Sequence, residues 1–290
     1  MNMTLRNASP ETSATEVAIQ SGEYRLKGTL FQPPLAPKAI VVLNGATGVP
    51  ARYYAAFGRW LAEEQGYACL TYDYRDFGAS AGPSMRASKA TMTDWGVYDQ
   101  QAARDFAKRQ FPTTPVWVVG HSLGGLCFPF QERLDDIERV ITVGAGMVNV
   151  RDHPWRYQPI ARMFWYGPMP LVTLLAGYMP GKTLRIGQDI PSGVYWQWRA
   201  WCTRTDFFAR DFGTKLPFPD WQGLKANIKY VAMSDDDLVP PAAVWRLMQC
   251  NAAAPTRQLT LRPGDYGLTE LGHITVFAER NKAAWAAIIA

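Results

Sequence analysis

Residues 120–124 read Gly-His-Ser-Leu-Gly. A serine hydroxyl becomes a useful nucleophile only when a base takes its proton and fixed donors receive the charge formed on the attacked carbonyl. Glycines flanking a very tight strand-to-helix turn let such a serine stand exposed at a strained corner. The bare pattern recurs by chance, so its setting decides its weight. Here Val116-Trp117-Val118-Val119 precedes it and an apolar stretch, 126–134, follows, which predicts strand, sharp turn and helix around Ser122.

A nucleophile needs a base, and the chain has three histidines, His121, His153 and His273. His121 adjoins the serine in the chain, so its side chain is directed away from that of Ser122 and a packing or hydrogen-bonding role is expected. His153 opens an irregular region and is expected to be structurally bonded or solvated, with a substrate-facing role as the alternative. His273 falls between the last expected strand and the last expected helix, where site residues gather in open sheets. The order Ser, acid, His then asks for a carboxylate between Ser122 and His273 that follows a strand. Ile228 to Met233 leads into Asp235-Asp236-Asp237. Asp236 is favoured as the orienting acid and Asp235 is second, while Asp237 is placed to cap the helix expected from Pro241. His273 would act as general base and acid, and Asp236 would fix its tautomer. For the oxyanion, the Leu123 N–H at the turn and the Ala46 N–H in Asn44-Gly45-Ala46 are the expected donors.

The elements that must position these residues alternate. Thr15 to Gln20 and Tyr24 to Phe31 flank a short turn and predict an antiparallel pair. Strands at Ala39 to Leu43, Tyr67 to Tyr72, Val116 to Val119, Val140 to Val143, Ile228 to Met233 and Gln258 to Leu261 are interleaved with helices at about Tyr53 to Gln65, Thr93 to Arg109, Pro241 to Cys250 and Thr275 to Ile289. Such alternation predicts an α/β fold with a mostly parallel sheet and helices on both faces. The alternation fails between residues 151 and 221, a stretch holding six of the 11 tryptophans and eight of the 21 prolines. Residues 1–150 and 222–290 are therefore expected to form one core, with 151–221 inserted after the sixth strand as a cap over the site. The apolar run Met163 to Pro180 is broken by glycines and prolines, so it is expected to be buried or pocket-lining, with no membrane span.

Composition narrows the function class. A net charge of +5 over 290 residues without a Lys/Arg run disfavours nucleic-acid binding. Four isolated cysteines without Cys-x-x-Cys argue against zinc and against a disulfide framework, and suit reduced core thiols in the cytoplasm. Residues 1–20 lack the pattern of an export signal. No cofactor is implied, and the expected partner is a small acyl substrate.

With these pieces in place, the chain resembles the α/β-hydrolase superfamily. The resemblance rests on Asn44-Gly45-Ala46-Thr47-Gly48, Asp73-Tyr74-Arg75-Asp76-Phe77-Gly78-Ala79-Ser80, Gly120-His121-Ser122-Leu123-Gly124-Gly125, Asp236-Asp237-Leu238-Val239-Pro240 and Gly272-His273. It implies the α/β-hydrolase fold, and it favours Asp236 because an Asp three residues before Val-Pro commonly serves as the acid. The Asn-Gly-Ala-Thr-Gly start, Pro180-Gly181-Lys182 and Val194-Tyr195-Trp196-Gln197-Trp198 are similar to a bacterial subgroup usually labelled only "predicted α/β hydrolase". Asn44 replaces a common His, and Asp76 replaces the first Gly of Asp-x-Arg-Gly-x-Gly-x-Ser; Asp tolerates the left-handed backbone that glycine would supply there. The expected function is a serine esterase or thioesterase acting through a Ser122 acyl-enzyme. An acyltransferase with the same triad and a non-catalytic ligand-binding protein are the alternatives. Residues 151–221 carry nine Lys/Arg and five Asp. Those cations are expected either to meet an anionic part of the substrate or to be solvated and stacked on tryptophans.

Overall fold

A computed structural model describes residues 12–251 and 253–290. Residues 1–11, on which the expectation of no export signal partly rests, lie outside it. The chain opens with strands β1 (Ser13–Ser21) and β2 (Tyr24–Gln32), followed by β3 (Ile40–Asn44), helix α1 (Ala55–Trp60), β4 (Ala68–Tyr72), α2 (Gln100–Gln110), β5 (Val116–His121) and β6 (Ile137–Val143). Helices α3 (Gln158–Tyr166) and α4 (Pro168–Ala176), the short strands β7 (Tyr178–Met179) and β8 (Ile190–Pro191), and α5 (Ser192–Thr203) come next. Strand β9 (Asn227–Met233), α6 (Pro241–Cys250), β10 (Thr256–Leu261) and α7 (Trp285–Ile289) complete it.

Eight strands form one sheet in the order β1-β2-β4-β3-β5-β6-β9-β10. From β4 to β10 every pairing is parallel, and β2 joins β1 and β4 antiparallel. All five residues of β3 and all five of β4 are buried, as continuous apolar runs in a sheet covered on both faces must be. Alternate side chains separate into two cores. Val41, Leu43, Val119 and Ile141 pack with Phe57, Phe277 and Trp285 on one face. Ile40, Val42, Val118 and Val140 pack with Trp95, Ala103 and Val244 on the other. The sheet and its expected strands are therefore present, and the fold is the α/β-hydrolase fold.

The helices depart from expectation where backbone chemistry intervenes. After Ser122 there is no α-helix over 126–134; short 3₁₀ turns stand at Ser122–Gly125 and Phe128–Phe130. Gly124 and Gly125 weaken a helix start, and Pro129 can neither donate a helical hydrogen bond nor fit its ring against the preceding turn. The expected last helix is likewise two 3₁₀ stretches, Thr275–Phe277 and Glu279–Ala284, before α7.

Between β6 and β9 the chain packs against the carboxyl ends of the strands. Gln197 on α5 ties it down, accepting from the Thr93 N–H at 3.0 Å and donating to Thr93 Oγ1 at 2.8 Å. The Tyr195 hydroxyl donates to the Phe164 carbonyl at 3.1 Å and links α5 to α3. The run Met163 to Pro180 is only partly buried: Trp165, Met169 and Thr173 face inward, whereas Met163, Tyr166, Leu171, Leu174 and Leu175 are exposed. Gly167 and Pro168 break the run into two short helices, each with one face packed and one free. Among the described residues no helix is long and apolar enough to cross a membrane.

Candidate active site

Parallel pairing of β3 with β5 sets Asn44 opposite Gly120, so loops 45–48 and 122–125 leave the sheet side by side. The approach is close: a Cβ on Gly124 would stand 2.1 Å from the Asn44 carbonyl oxygen, and one on Gly120 2.3 Å from the Gly124 carbonyl oxygen. Only glycine fits at either place. Ser122 between them has φ +54°, a left-handed conformation unusual for a non-glycine residue. It is half-buried and opens onto a cavity of about 560 Å³. The Leu123 N–H, in the first turn of a 3₁₀ helix, has no carbonyl within that helix to receive it.

His273 opens onto the same cavity. Its Nδ1 lies 2.7 Å from Asp236 Oδ2, and both side chains are buried. The other Asp236 oxygen accepts the Leu238 and Val239 N–H groups at 2.9 and 2.8 Å. Asp235 accepts the N–H groups of Leu271 and Gly272 at 2.8 and 3.1 Å, which pins the loop that carries His273. Asp237 does not cap α6; its carboxylate lies 3.8 Å from Arg156, and the helix starts behind Pro240 without a side-chain cap. Pro241 at the first helical position has no N–H to satisfy. The three adjacent carboxylates thus have separate partners. No hydrogen bond joins Ser122 to His273, a spacing common in sites that tighten only around substrate.

His121 is fully buried and points away from the cavity. Its Nε2 lies 2.9 Å from the His273 carbonyl oxygen and its Nδ1 2.8 Å from the Tyr54 hydroxyl. Burial holds its pKa well below the ordinary histidine value, so the ring is neutral. The Ala46 N–H, expected as the second oxyanion donor, donates to the Tyr54 hydroxyl at 2.9 Å. Thr47, next in the chain, lines the cavity, and its N–H meets no acceptor among the described residues. Asn44 is buried beneath the loop, accepting from the Tyr72 hydroxyl at 2.7 Å and donating to Gln100 at 3.2 Å. Asp76 has φ +58° and accepts from the Ser88 hydroxyl at 2.6 Å, so the left-handed turn survives loss of its glycine. Sequence reasoning missed Tyr54, since a tyrosine at a helix start carries no signal of its partner.

The cavity wall opposite Ser122 comes largely from the segment between β6 and β9, through Phe164, Trp165, Trp198, Trp201 and Phe207. His153 is buried at its edge, with Nδ1 3.0 Å from the Asp237 carbonyl oxygen. None of the lining residues is Asp, Glu, Lys or Arg. Two cations of the segment have partners outside the cavity: Arg199 stacks over Tyr166 and Trp196 at 5.5 and 5.9 Å, and Arg204 pairs with Asp211 at 3.1 Å. None of the segment's cations lines the cavity, and the stacked alternative holds for Arg199. Cys202 reaches the cavity as a free thiol, its pKa pushed up to about 12 by burial. Among the described residues no three His, Cys, Asp or Glu side chains converge as a metal site would require.

Comparison with known proteins agrees with this architecture. Residues 40–288 match the Alpha/beta hydrolase family. The structure is similar to Est1E of Butyrivibrio proteoclasticus, solved with ferulic acid bound, at a TM-score of 0.59 and 16% identity over 94% of this chain and 96% of that one. It is also similar to an esterase of Pyrococcus furiosus, at a TM-score of 0.60 and 14% identity over 99% and 94% of the two chains. In sequence, 117 residues are 33% identical to the quorum-quenching protein AidA of Acinetobacter baumannii (strain MDR-ZJ06). That match spans 38% of this chain and 36% of the relative's length.

Proposed function

The chain belongs to the Alpha/beta hydrolase family, and from that premise we propose that it cleaves a carboxylic ester or thioester through an acyl intermediate on Ser122. The observation that carries this reading is the shared cavity: Ser122, at a strained turn, and His273, bound through Nδ1 to buried Asp236, open onto one apolar space. In the proposed reaction His273 Nε2 takes the Ser122 proton as Oγ attacks the acyl carbonyl. The same proton then passes to the leaving alcohol or thiol, and water repeats the sequence to release the acid. Asp236 keeps the proton on Nδ1 and stabilises the imidazolium. The Leu123 N–H is one oxyanion donor, and the loop at 46–47 gives the second, the unbonded Thr47 N–H with the Ala46 N–H behind it.

An uncharged wall supports a neutral, apolar acyl group over an anionic one, because an anion would lose its hydration there without gaining a partner. The segment 151–221 is proposed as the cap that selects it, over a core of 1–150 and 222–290. The Asn-Gly-Ala-Thr-Gly loop supports placing the chain in the bacterial subgroup named above.

Labelling with a fluorophosphonate tests the nucleophile. Wild type is expected to label, and Ser122→Ala and His273→Ala to label at background. Equal labelling of all three, or none of wild type, overturns the assignment.

A further inference from the structure

Nine of the thirteen large apolar side chains that stand exposed on the described chain lie within residues 153–188. That stretch contains four Lys or Arg and no Asp or Glu. Helix α4 has no charged residue; it turns Met169 and Thr173 inward and leaves Leu171, Leu174 and Leu175 59, 68 and 72% exposed. These three leucines share one helix face. On α3, which packs against α4, Ile160, Met163 and Tyr166 are exposed. Cations border this surface. Arg162 is exposed on α3, and Lys182 and Arg185 are exposed between β7 and β8. Arg86, also exposed, lies against the end of α4, its Cγ 2.8 Å from where a Cβ on Gly177 would stand. None of these four forms an ion pair among the described residues.

The patch is continuous with the proposed active site, since Ile160 and Ile186 are both exposed and both line the cavity that holds Ser122. Contiguous apolar surface of this kind marks an interaction face. A second copy of the chain fits it poorly: a two-fold contact would set four unpaired cations against the same four, and the carboxylate beside them, Asp189, already accepts the Lys182 N–H at 3.0 Å. A bilayer with anionic headgroups meets both properties, taking the leucines into its outer layer and pairing the arginines and lysine with phosphate. We infer that this face docks on an anionic lipid surface, and that an apolar acyl substrate enters from that surface past Ile160 and Ile186. The docking stands independently of catalysis; the entry route rests on the acyl-Ser122 reading.

The test is co-sedimentation with vesicles of phosphatidylcholine alone and of phosphatidylcholine mixed with phosphatidylglycerol. Wild type is expected to bind the mixed vesicles at least about tenfold more tightly, and less tightly in high salt. The triple variant Leu171→Ser/Leu174→Ser/Leu175→Ser and the double variant Arg162→Gln/Arg185→Gln should each lose about tenfold or more on mixed vesicles. Both should keep the wild-type melting temperature and turnover of a water-soluble short-chain ester. Ser122→Ala should bind vesicles as wild type does while losing turnover, which separates failure of the docking from failure of the catalytic reading. Docking is overturned if wild type ignores mixed vesicles, binds both vesicle types equally, or is matched by the triple variant. A wild-type dimer that the triple variant dissolves would instead assign the face to a second copy.

Discussion

The Tyr54 hydroxyl and His121 Nδ1 lie 2.8 Å apart in a fully buried contact, and the direction of that bond follows from its neighbours. The His273 carbonyl can only accept, so His121 Nε2 carries the hydrogen and Nδ1 is bare. Tyr54 therefore donates to His121, and its oxygen is left to accept the Ala46 N–H. A single line of bonds runs from the loop after β3 to the backbone of His273. Tyr54→Phe removes the middle of that line and leaves two buried polar groups unpaired, each costing about 1–3 kcal/mol. Denaturant unfolding should show a loss in that range. Turnover should fall more than KM rises, because the loops move relative to each other while the cavity walls stay.

Acid stability should report His121. Its folded-state pKa is depressed by burial, so between the ordinary histidine value and the depressed one the unfolded chain binds a proton that the folded chain refuses. Stability from this group is fully present above about pH 6.5 and is lost as pH falls below it, at up to about 1.4 kcal/mol per pH unit. Urea midpoints measured from pH 7.5 down to pH 5 should show this decline, and His121→Asn should flatten it.

The two acids should separate by kinetics. Asp236→Asn keeps the shape but disturbs the His273 tautomer, and turnover should fall by about 10⁴. Asp235 touches only the N–H groups of Leu271 and Gly272, so Asp235→Asn should cost much less turnover and lower the melting temperature. A larger kinetic loss at Asp235 would reverse the assignment.

Substrate charge should matter in a way salt does not relieve. Because no charged residue lines the cavity, esters of neutral acids should exceed matched esters carrying a carboxylate on the acyl chain in kcat/KM by about tenfold or more. The ratio should hold at low and high ionic strength; a preference for the anionic acyl group at low salt would return the cap cations to the site.

The parts of the molecule written in short-range chemistry were legible before the fold was known. Continuous apolar runs gave β3 and β5, and Pro241 marked the start of α6. The chain order of Ser122, Asp236 and His273 picked out side chains that the fold brings to one end of the sheet. Contacts across long separations were not legible. The Tyr54–His121 bond joins residues 67 apart, and Asp235 reaches a loop 36 residues on. The stretch after Ser122 misled because its leucines and phenylalanines look helical, while Pro129 and the paired glycines decide the backbone. The charge on residues 151–221 left two readings open, since composition counts arginines without saying which way they point.

Hydrogen-bonded registry between β3 and β5 fixes Asn44 opposite Gly120, so the Ser122 turn and the loop facing it share one rigid ladder. The aromatic wall belongs to another part of the chain, tied to the core by contacts such as Gln197 with Thr93. On the proposed reading, reactive geometry and molecular choice are held by different stretches of backbone. That reading lets residues 151–221 be redrawn, by drift or by a protein engineer, for a longer, bulkier or differently shaped acyl group while the strand ends keep their alignment.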